Sequence, residues 1–346
     1  MPSKTIAVIG GLDADLIMIT SRIPDPGESV LASHFEESLG GKGANSAIAT
    51  FRTCHDKFSQ KHVFLDFKGA SGDIEDAHSA SQSHAAVTKQ EINTGSDAEI
   101  IRVKMIGAVG DDEYGEKFIA ELSKNGVDVS GIITVPDTRS SICFVTVDDL
   151  TRENRCLFTQ GATATWKEKD FLKPEQLGGG IRPDLVIAQM EIDKHVVETM
   201  LETAGNASID FCLNAAPASP IDKHLYRHVT HLLMNESEAA IMSGRDRDEV
   251  KQDTWLTIAK EFLNSGVANV VITLGAKGAF YANAEGNGHC PAYDVKVEDT
   301  TGAGDTFTGA YASDYLRQKD KGTWDIRSAV VRANKAAAIT IQGLGA

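Results

Sequence analysis

The sequence predicts an α/β fold with a largely parallel sheet, accompanied by a small separate β-sheet. Short apolar runs bounded by glycine alternate with longer segments of helical period, which is the pattern of βαβ units. Two other regions, 15–35 and 141–160, show the period of two that is typical of half-exposed antiparallel strands. With 346 residues, 42% of them apolar, the chain can bury a substantial core.

The strands predicted for the parallel sheet are short and apolar, and they cover residues 5–9, 103–109, 185–189, 208–214, 231–234 and 270–274. Helices are predicted at 113–125, 194–204 and 254–265. Each of these segments ends just before a glycine, which is the usual helix stop. The two regions with a period of two are predicted to form a β-sheet lid.

Residues 54–98 interrupt this alternation. They contain scattered charges and a serine-rich stretch with little periodicity, which predicts a polar, mobile surface insertion. Histidines 55, 62, 78 and 84 fall within it, but their spacing matches no metal-ligand pattern. We therefore interpret them as solvated loop histidines.

Composition narrows the choice of partners and compartment. A net charge of −15 and a pI near 5.1 would repel polyanions, so neither nucleic acid nor a membrane surface is a predicted partner. The five cysteines include no CxxC pair, which predicts reduced thiols and a cytoplasmic or nuclear protein. Glycines and aspartates interrupt any signal sequence near the start, and no apolar run is long enough to span a bilayer.

The segment from Asp299 to Gly309, with the sequence DTTGAGDTFTG, is the strongest chemical signal. Small residues that open a helix can direct several backbone N–H groups at one anion, and Asp305 lies beside them as a candidate base. Phosphoryl transfer needs both parts. The alternative, an ordinary capped helix start, stays open on local grounds.

A second glycine cluster, GGKGAN, runs from Gly40 to Asn45 before a segment of helical pattern. Its glycines permit close backbone approach to a ligand, while Lys42 and Asn45 supply a charge and an amide for hydroxyl groups. The spacing excludes a Walker A loop. The alternative is a glycine turn that carries a surface lysine.

Together the two clusters resemble the signatures of the ribokinase-like (PfkB) family of sugar kinases. The resemblance covers nearly the whole chain outside 54–98, and further motifs occur in the family's order at 10–15, 110–115, 189–191, 214–218, 235–238, 273–278 and 333–334. It implies one three-layer α/β/α domain over 1–346, with lid strands at about 13–40 and 140–160. It also implies ATP-dependent phosphorylation of D-ribose at the 5-hydroxyl.

The resemblance also assigns roles to individual residues. Those assigned to the sugar are Asp13, Asp15, Gly41, Lys42, Asn45 and Glu191. Those assigned to catalysis are Asp305 as the base, kept ionised by the helix start, and Gly302, Ala303 and Gly304 as the anion hole. Those assigned to the nucleotide are Asn235, Thr273, Gly275, Lys277, Gly278 and Asn334.

Metal ions and a partner subunit follow from the same resemblance. Glu238 would bind Mg²⁺ through water, although Asn235 and Glu238 also have the spacing of a capping box. Asp299 and Thr301 would border a K⁺ site, which in relatives is completed by a tail beyond the position of Ala346. A homodimer that associates through the lid is implied as well.

One departure concerns the sugar site, because Asp13 stands where the family usually has Asn. A carboxylate in that place only accepts hydrogen bonds and adds negative charge beside Asp15. Two alternatives remain: a kinase for another sugar or a nucleoside, and a catalytically silent sugar-binding protein. A dinucleotide-dependent oxidoreductase is excluded, because Gly10 and Gly11 do not complete a G-x-G-x-x-G motif.

Overall fold

A nine-stranded sheet forms the centre of the molecule. The computed structural model describes residues 4–55, 101–151 and 154–343. Across the sheet the strands are β13 (Gly286–Cys290), β12 (Ala279–Asn283), β11 (Asn269–Thr273), β10 (His231–Asn235), β9 (Asp210–Asn214), β8 (Leu185–Ala188), β1 (Lys4–Ile9), β4 (Ile101–Gly110) and β5 (Asp128–Val135). Neighbours from β11 to β5 run parallel, and β12 and β13 add an antiparallel edge.

Helices cover both faces of this sheet, which explains the apolar runs in the sequence. In β1, Ile6 and Val8 pack into the hydrophobic cluster on one face, while Ala7 and Ile9 pack into the cluster on the other. All four side chains are fully buried. A parallel strand with both faces covered must be apolar at successive positions rather than at alternate ones. The predicted three-layer α/β/α fold is confirmed.

The described helices of eight or more residues are α1 (Lys42–Cys54), α2 (Glu113–Lys124), α3 (Lys194–Asn206), α4 (Glu236–Ser243), α5 (Trp255–Asn264), α6 (Ala303–Gln318) and α7 (Ile326–Thr340). The glycine stops predicted after α2 and α5 are correct, since Gly126 and Gly266 have φ of 85° and 105°. Gly205 is not a stop, because α3 continues to Asn206. A Cβ at Gly205 would lie 1.8 Å from Nδ1 of His228, so close packing accounts for this glycine.

The small sheet has four strands, in the spatial order β3 (Ala32–Gly40), β2 (Asp13–Thr20), β6 (Ser141–Asp148) and β7 (Asn154–Thr159). The prediction of antiparallel pairing holds for β2 with β3 and for β6 with β7, but the central pair, β2 with β6, is parallel. A period of two indicates only that one face of a strand is exposed, so it does not determine whether neighbouring strands run parallel or antiparallel.

Several sequence predictions concern parts of the chain beyond the two sheets. The insertion predicted at 54–98 lies outside the described residues, except for Cys54 and His55 at the end of α1. All five cysteines are free in the structure. Among the described helices, none is long and apolar enough to cross a membrane.

His231 at the start of β10 makes the folded state sensitive to acid. The side chain is completely buried, its Nδ1 lies 3.0 Å from the Tyr311 hydroxyl, and burial lowers its pKa to about 3. An unfolded chain has a histidine pKa near 6.5, so between these values it binds one proton more than the folded chain. Stability should therefore fall as the pH drops through this range.

We expect His231→Gln to reduce that dependence by about one proton, or about 1.4 kcal/mol per pH unit between roughly pH 6 and pH 4. Urea unfolding at several pH values measures the slope. His195→Gln changes a histidine on α3 that is 71% exposed and serves as the control. An unchanged slope in the His231 variant would contradict the assignment.

Candidate active site

The predicted site residues converge at one edge of the large sheet. Asn235 and Thr273 end the parallel strands β10 and β11, and Glu191 follows the end of β8. Asp13 opens β2 immediately after β1. These are the carboxyl ends of parallel strands, where open α/β sheets bind their ligands. Residues that are far apart in the sequence therefore lie together at this edge of the sheet.

The start of α1 lies directly on the turn after β1. Gly41 has φ of 87°, and a Cβ there would lie 2.6 Å from the backbone nitrogen of Asp13. A Cβ at Gly43 would lie 2.6 Å from both the carbonyl carbon of Gly10 and the carbonyl oxygen of Gly11. Only glycine allows this approach. It brings the Lys42 amide to within 2.8 Å of Glu191 Oε2, to which it donates a hydrogen bond.

The start of α6 faces the start of α1. Gly302 is the N-cap residue, with φ of 71° and no side-chain cap, so Asp305 in the first turn does not cap the helix. Its buried carboxylate instead accepts hydrogen bonds from Asn45 Nδ2 at 3.3 Å and from Ser46 Oγ at 3.5 Å. First-turn amides have no partner within their own helix. Backbone amides that can donate to an anion therefore lie beside the carboxylate of Asp305.

Comparison with known proteins identifies the family of this chain. Residues 94–346 match the profile of the pfkB family carbohydrate kinase. The chain belongs to the pfkB family of carbohydrate kinases.

Two curated relatives show how far the similarity extends. Ribokinase from Schizosaccharomyces pombe is 30% identical, over 99% of this chain and 93% of its own. Deoxyribokinase from Salmonella typhi is 27% identical, over 98% and 93%. The structure of Arabidopsis thaliana ribokinase complexed with ribose and ATP shares the fold, with a TM-score of 0.73 at 20% identity, over 100% of this chain and 95% of that one. This pfkB-family member is therefore an ATP-using sugar kinase whose exact substrate the relatives leave open.

Lys42 is the positive centre of the kinase's cleft. Burial opposes its charge, but the carboxylates of Asp305, Glu191, Glu238 and Asp13 together raise its pKa. Burial also raises the pKa of Asp305, while Lys42 and the hydrogen bonds from Asn45 and Ser46 act to lower it. The predicted effect of the helix start, which favours the ionised form of Asp305, is thus opposed by desolvation.

Replacing Lys42 tests this balance. We expect Lys42→Met to raise the pKa of Asp305 further, because the variant removes the charge that stabilises the carboxylate. The acid limb of the pH profile of kcat should therefore move to higher pH. Steady-state rates from pH 5 to 9 measure it, and Lys124→Met, which changes an exposed lysine on α2 paired with Glu121 at 3.1 Å, is the matched control. An acid limb that stays in place would show that Lys42 does not tune the base.

The lid contributes two carboxylates to the cleft. Ser141, the first residue of β6, hydrogen-bonds with both Asp13 and the Thr159 carbonyl group. Asp15 lies over Gly40, where a Cβ would come within 2.1 Å of its Oδ2. Burial and the negative charge of Asp13 raise the pKa of Asp15 to about 6. The predicted sugar residues thus come from the small sheet, from the start of α1 and from the loop after β8.

Asn235 and Glu238 form the capping box that the spacing allowed. Glu238 N donates to Asn235 Oδ1 at 2.8 Å, and Asn235 N donates to Glu238 Oε2 at 2.7 Å. The predicted capping box is therefore confirmed, and it does not exclude a role for Glu238 at the cleft. Burial raises the pKa of Glu238, and the charges of Lys42 and Asp305 both act on it.

The predicted nucleotide residues after β11 occupy a tight turn. Gly275 and Gly278 have φ of 57° and 98°, and a Cβ at Gly278 would lie 2.0 Å from the Cys290 carbonyl oxygen. Lys277 lies within this turn and Thr273 precedes it, with Thr273 Oγ1 3.4 Å from the Met234 carbonyl oxygen. The turn therefore lies at the same strand edge as the other candidates.

Asn334 on α7 is engaged in the fold. Its side-chain amide donates to the carbonyl oxygens of Cys290 and Pro291, at 3.3 and 3.4 Å. These contacts tie α7 to the end of β13. Donation by Asn334 to a nucleotide would require those bonds to be exchanged.

Asp299 and Thr301 lie side by side before α6. Asp299 Oδ1 accepts from Thr301 N at 2.9 Å and from Thr301 Oγ1 at 2.8 Å. The neighbouring Glu298 amide donates to the Ile341 carbonyl oxygen at 2.8 Å, which brings the end of α7 to this loop. The oxygens predicted to border a K⁺ site are therefore adjacent.

Three residues of the cleft were not predicted as site residues. Ser46 contacts Asp305 and accepts from Gln189 Nε2 at 3.0 Å, while Ser141 contacts Asp13. Gln189 falls inside the motif at 189–191, and Ser46 follows Asn45 directly, so both carried a signal by position. Ser141 carried none, because only strand pairing brings it to Asp13.

Two neighbouring grooves lie apart from the predicted site residues. A groove of about 620 Å³ is lined by residues between Trp166 and Leu172 and between Asp193 and Val196, and contains none of the predicted site residues. A second groove, of about 450 Å³, lies beside it and shares Leu172. The converging carboxylates, lysine and helix starts identify the candidate site instead.

Proposed function

We propose that this kinase transfers the γ-phosphoryl group of ATP to the 5-hydroxyl of D-ribose, giving D-ribose 5-phosphate and ADP. One observation carries the proposal: the buried carboxylate of Asp305 lies between the starts of α1 and α6, held by Asn45 and Ser46. The full-length similarity to a ribokinase supports ribose as the sugar.

Asp305 is the proposed base. Its carboxylate would accept the proton of the attacking hydroxyl, a role worth about 10²- to 10⁴-fold in rate. The backbone amides of Gly302, Ala303 and Gly304 would stabilise the charge on the transferring group, since they open α6. The Ala303 amide donates to the Thr300 carbonyl oxygen at 3.3 Å and would exchange that bond for one to the anion. Lys42, whose raised pKa keeps it cationic, would offset the negative charge that ATP brings to this cleft.

The sugar is proposed to lie between the lid and α1. Asp13, Asp15 and Glu191 offer acceptors there, while Lys42 and Asn45 offer donors and Gly41 leaves space for the backbone to approach. A polyol needs donors and acceptors in fixed directions. Closure of the lid would exclude water from the reaction.

ATP is proposed to bind along the edge that carries Thr273, Gly275, Lys277, Gly278 and Asn235, with Asn334 nearby. Mg²⁺ would neutralise phosphate charge, and it commonly takes one or two carboxylates together with phosphate and water. Glu238 fits such a role, because the capping box fixes its carboxylate and Lys42 and Asp305 act on its charge. The described residues contain no cluster of three or more His, Cys, Asp and Glu side chains suited to a metal.

K⁺ is proposed as an activating ion at Asp299 and Thr301. Adjacent carboxylate and hydroxyl oxygens beside the end of α7 suit a monovalent cation. We expect a higher rate in K⁺ than in Na⁺ at equal ionic strength, and equal rates would remove the site from the proposal.

A homodimer is proposed to form through the lid. The lid and its loops expose large apolar side chains, namely Leu31, Phe35, Leu150, Leu157 and Phe158. An apolar surface of this kind is commonly covered by a partner. Sedimentation of the purified protein tests this, and a monomer at micromolar concentration would contradict it. The free cysteines favour a reducing compartment, which we propose to be the cytoplasm or the nucleus.

The second candidate substrate is 2-deoxy-D-ribose. The relative from Salmonella typhi is a deoxyribokinase at nearly the same identity, so similarity alone does not separate the two sugars. They differ in one hydroxyl group. A site built to hydrogen-bond that hydroxyl rejects the sugar lacking it, because buried polar groups are then left unpaired.

A sugar panel decides between these candidates. Purified protein with MgATP should release ADP fastest with ribose, and much more slowly with deoxyribose, fructose, ribulose or adenosine. A preference for deoxyribose or a nucleoside would replace the proposed substrate. Ribose binding without ADP release would support the silent sugar-binding alternative.

A further inference from the structure

Two carboxyl groups in the proposed sugar site, those of Asp13 and Glu191, face the same point over Gly11. A Cβ at Gly11 would be 2.7 Å from Glu191 Oε2 and 3.1 Å from Asp13 Oδ2. Two ionised carboxylates are acceptors only, so they would repel each other at this point. One proton held between them would turn the repulsion into a hydrogen bond.

Ser141 fixes which oxygen of Asp13 is available for such a proton. Its hydroxyl donates to Asp13 Oδ1 and also contacts the carbonyl oxygen of Thr159. Asp13 Oδ1 is therefore already an acceptor, whereas Oδ2 is the oxygen that lies with Glu191 Oε2 over Gly11. A proton held between Asp13 and Glu191 would lie on that side of the carboxyl group.

The surrounding charges favour retention of this proton. The charged and titratable groups that act on the pair are Lys42, Asp15, Asp305 and Cys143, of which only Lys42 is positive. Asp13 is 6% exposed. Burial and the charge of Asp13 raise the pKa of Glu191 to about 8, and burial raises the pKa of Asp13. Two buried carboxylates this close are not both ionised at neutral pH.

We propose that Asp13 and Glu191 share one proton at neutral pH and bind the sugar as a donor and acceptor pair, which makes Asp13 a specificity-determining residue. This inference rests on the proposed function, in which these residues face the sugar. A carboxylic acid has nearly the shape of a carboxamide and can donate as one does. The pair would therefore offer a donor as well as acceptors to neighbouring hydroxyls. Two fully ionised carboxylates would offer acceptors only.

The shared proton makes sugar affinity depend on pH. Above the pKa of the pair the donor is lost and two carboxylates repel each other, so affinity falls as the pH rises. Asp15 has a pKa of about 6 and is ionised throughout the range above pH 7, while the raised pKa of Lys42 keeps it cationic there. Burial also raises the pKa of Asp305, which acts on Glu191. Because Asp305 is unchanged in Asp13→Asn, that variant separates loss of the shared proton from titration of Asp305.

Asp13→Asn is the decisive variant, because an amide donates at every pH. We expect calorimetry of ribose binding to show affinity about tenfold weaker at pH 9 than at pH 7 for the unmodified protein, and a change of less than about twofold for Asp13→Asn. At pH 9 the variant should bind ribose more tightly than the unmodified protein. Equal pH dependence in the two proteins would overturn the proposal.

Infrared spectroscopy of the protein without sugar gives a readout that does not depend on the proposed function. A protonated carboxyl group has its own C=O stretching band, which should be present at pH 7, fade by pH 9 and be absent from both Asp13→Asn and Glu191→Gln. Asp314→Asn, which removes a buried aspartate on α6, should leave this pH-dependent component in place. Failure to bind ribose would reject the sugar assignment, whereas an unchanged band would reject the shared proton.

Discussion

Asp305→Asn should lower kcat by at least about 10²-fold and leave the affinity for ribose nearly unchanged. The amide keeps the size of the carboxylate and can still contact Asn45 and Ser46, but it cannot accept the hydroxyl proton. The loss should therefore fall on the chemical step. Steady-state kinetics with ribose and MgATP, together with calorimetry of ribose binding, measure the two parts separately.

Asp314→Asn is the matched control for that experiment. Asp314 is also a buried aspartate on α6, but it contacts Arg332 and Gln318 rather than α1. Its replacement should affect stability and leave kcat within a few-fold of the unmodified value. A near-normal kcat for Asp305→Asn would remove Asp305 from the role of base.

Gly43→Ala should lower kcat/KM by about 10²-fold, because α1 must move about an ångström to accommodate a methyl group. The added Cβ would lie 2.6 Å from backbone atoms of both Gly10 and Gly11, and backbone cannot rotate away as a side chain can. The displacement breaks the 2.8 Å bond from Lys42 N to Glu191 and moves Asn45 away from Asp305. Overpacking of this kind also costs about 1–3 kcal/mol of stability.

Gly309→Ala separates misplacement from instability. A Cβ at Gly309 on α6 would lie 2.6 Å from the Thr50 nitrogen, so this variant also crowds α1, one to two turns farther from the cleft. We expect a similar loss of thermal stability with a much smaller loss of kcat/KM. If the two variants lose activity in proportion to their stability, the close approach at Gly43 has no specific role in the site.

The backbone layout follows largely from the sequence, because its causes are local. The apolar run at 5–9 predicts β1 to within one residue, and glycine after α2 and α5 marks the ends of those helices. Gly205 shows the limit of this reasoning. A side chain at this position of α3 would collide with His228, which belongs to another segment. Tertiary packing, rather than the end of a helix, therefore accounts for this glycine.

The residues of the site could be predicted only in part, for a similar reason. Asp305 and Lys42 stand out because glycine clusters surround them, but nothing local connects Ser141 with Asp13. The direction of the shift in the Asp305 pKa could not be predicted from the sequence either. The helix start, which favours the ionised form, is adjacent in the chain, whereas the burial that raises the pKa arises only in the folded protein. The sequence pattern thus predicts where the site lies. The pKa values of its residues depend on desolvation, and therefore on tertiary packing.

Asn45 and Asp305 are 260 residues apart in the chain and meet only when α1 packs on α6. Synthesis proceeds from the amino terminus, so a growing chain carries Asp13, Lys42 and Glu191 well before the carboxylate on α6 leaves the ribosome. An unfinished polypeptide would then carry the residues proposed to hold the polyol, but neither the proposed base nor the proposed anion-binding helix. On the proposed function, nucleotide could therefore be consumed only after α6 has been made and has packed on α1.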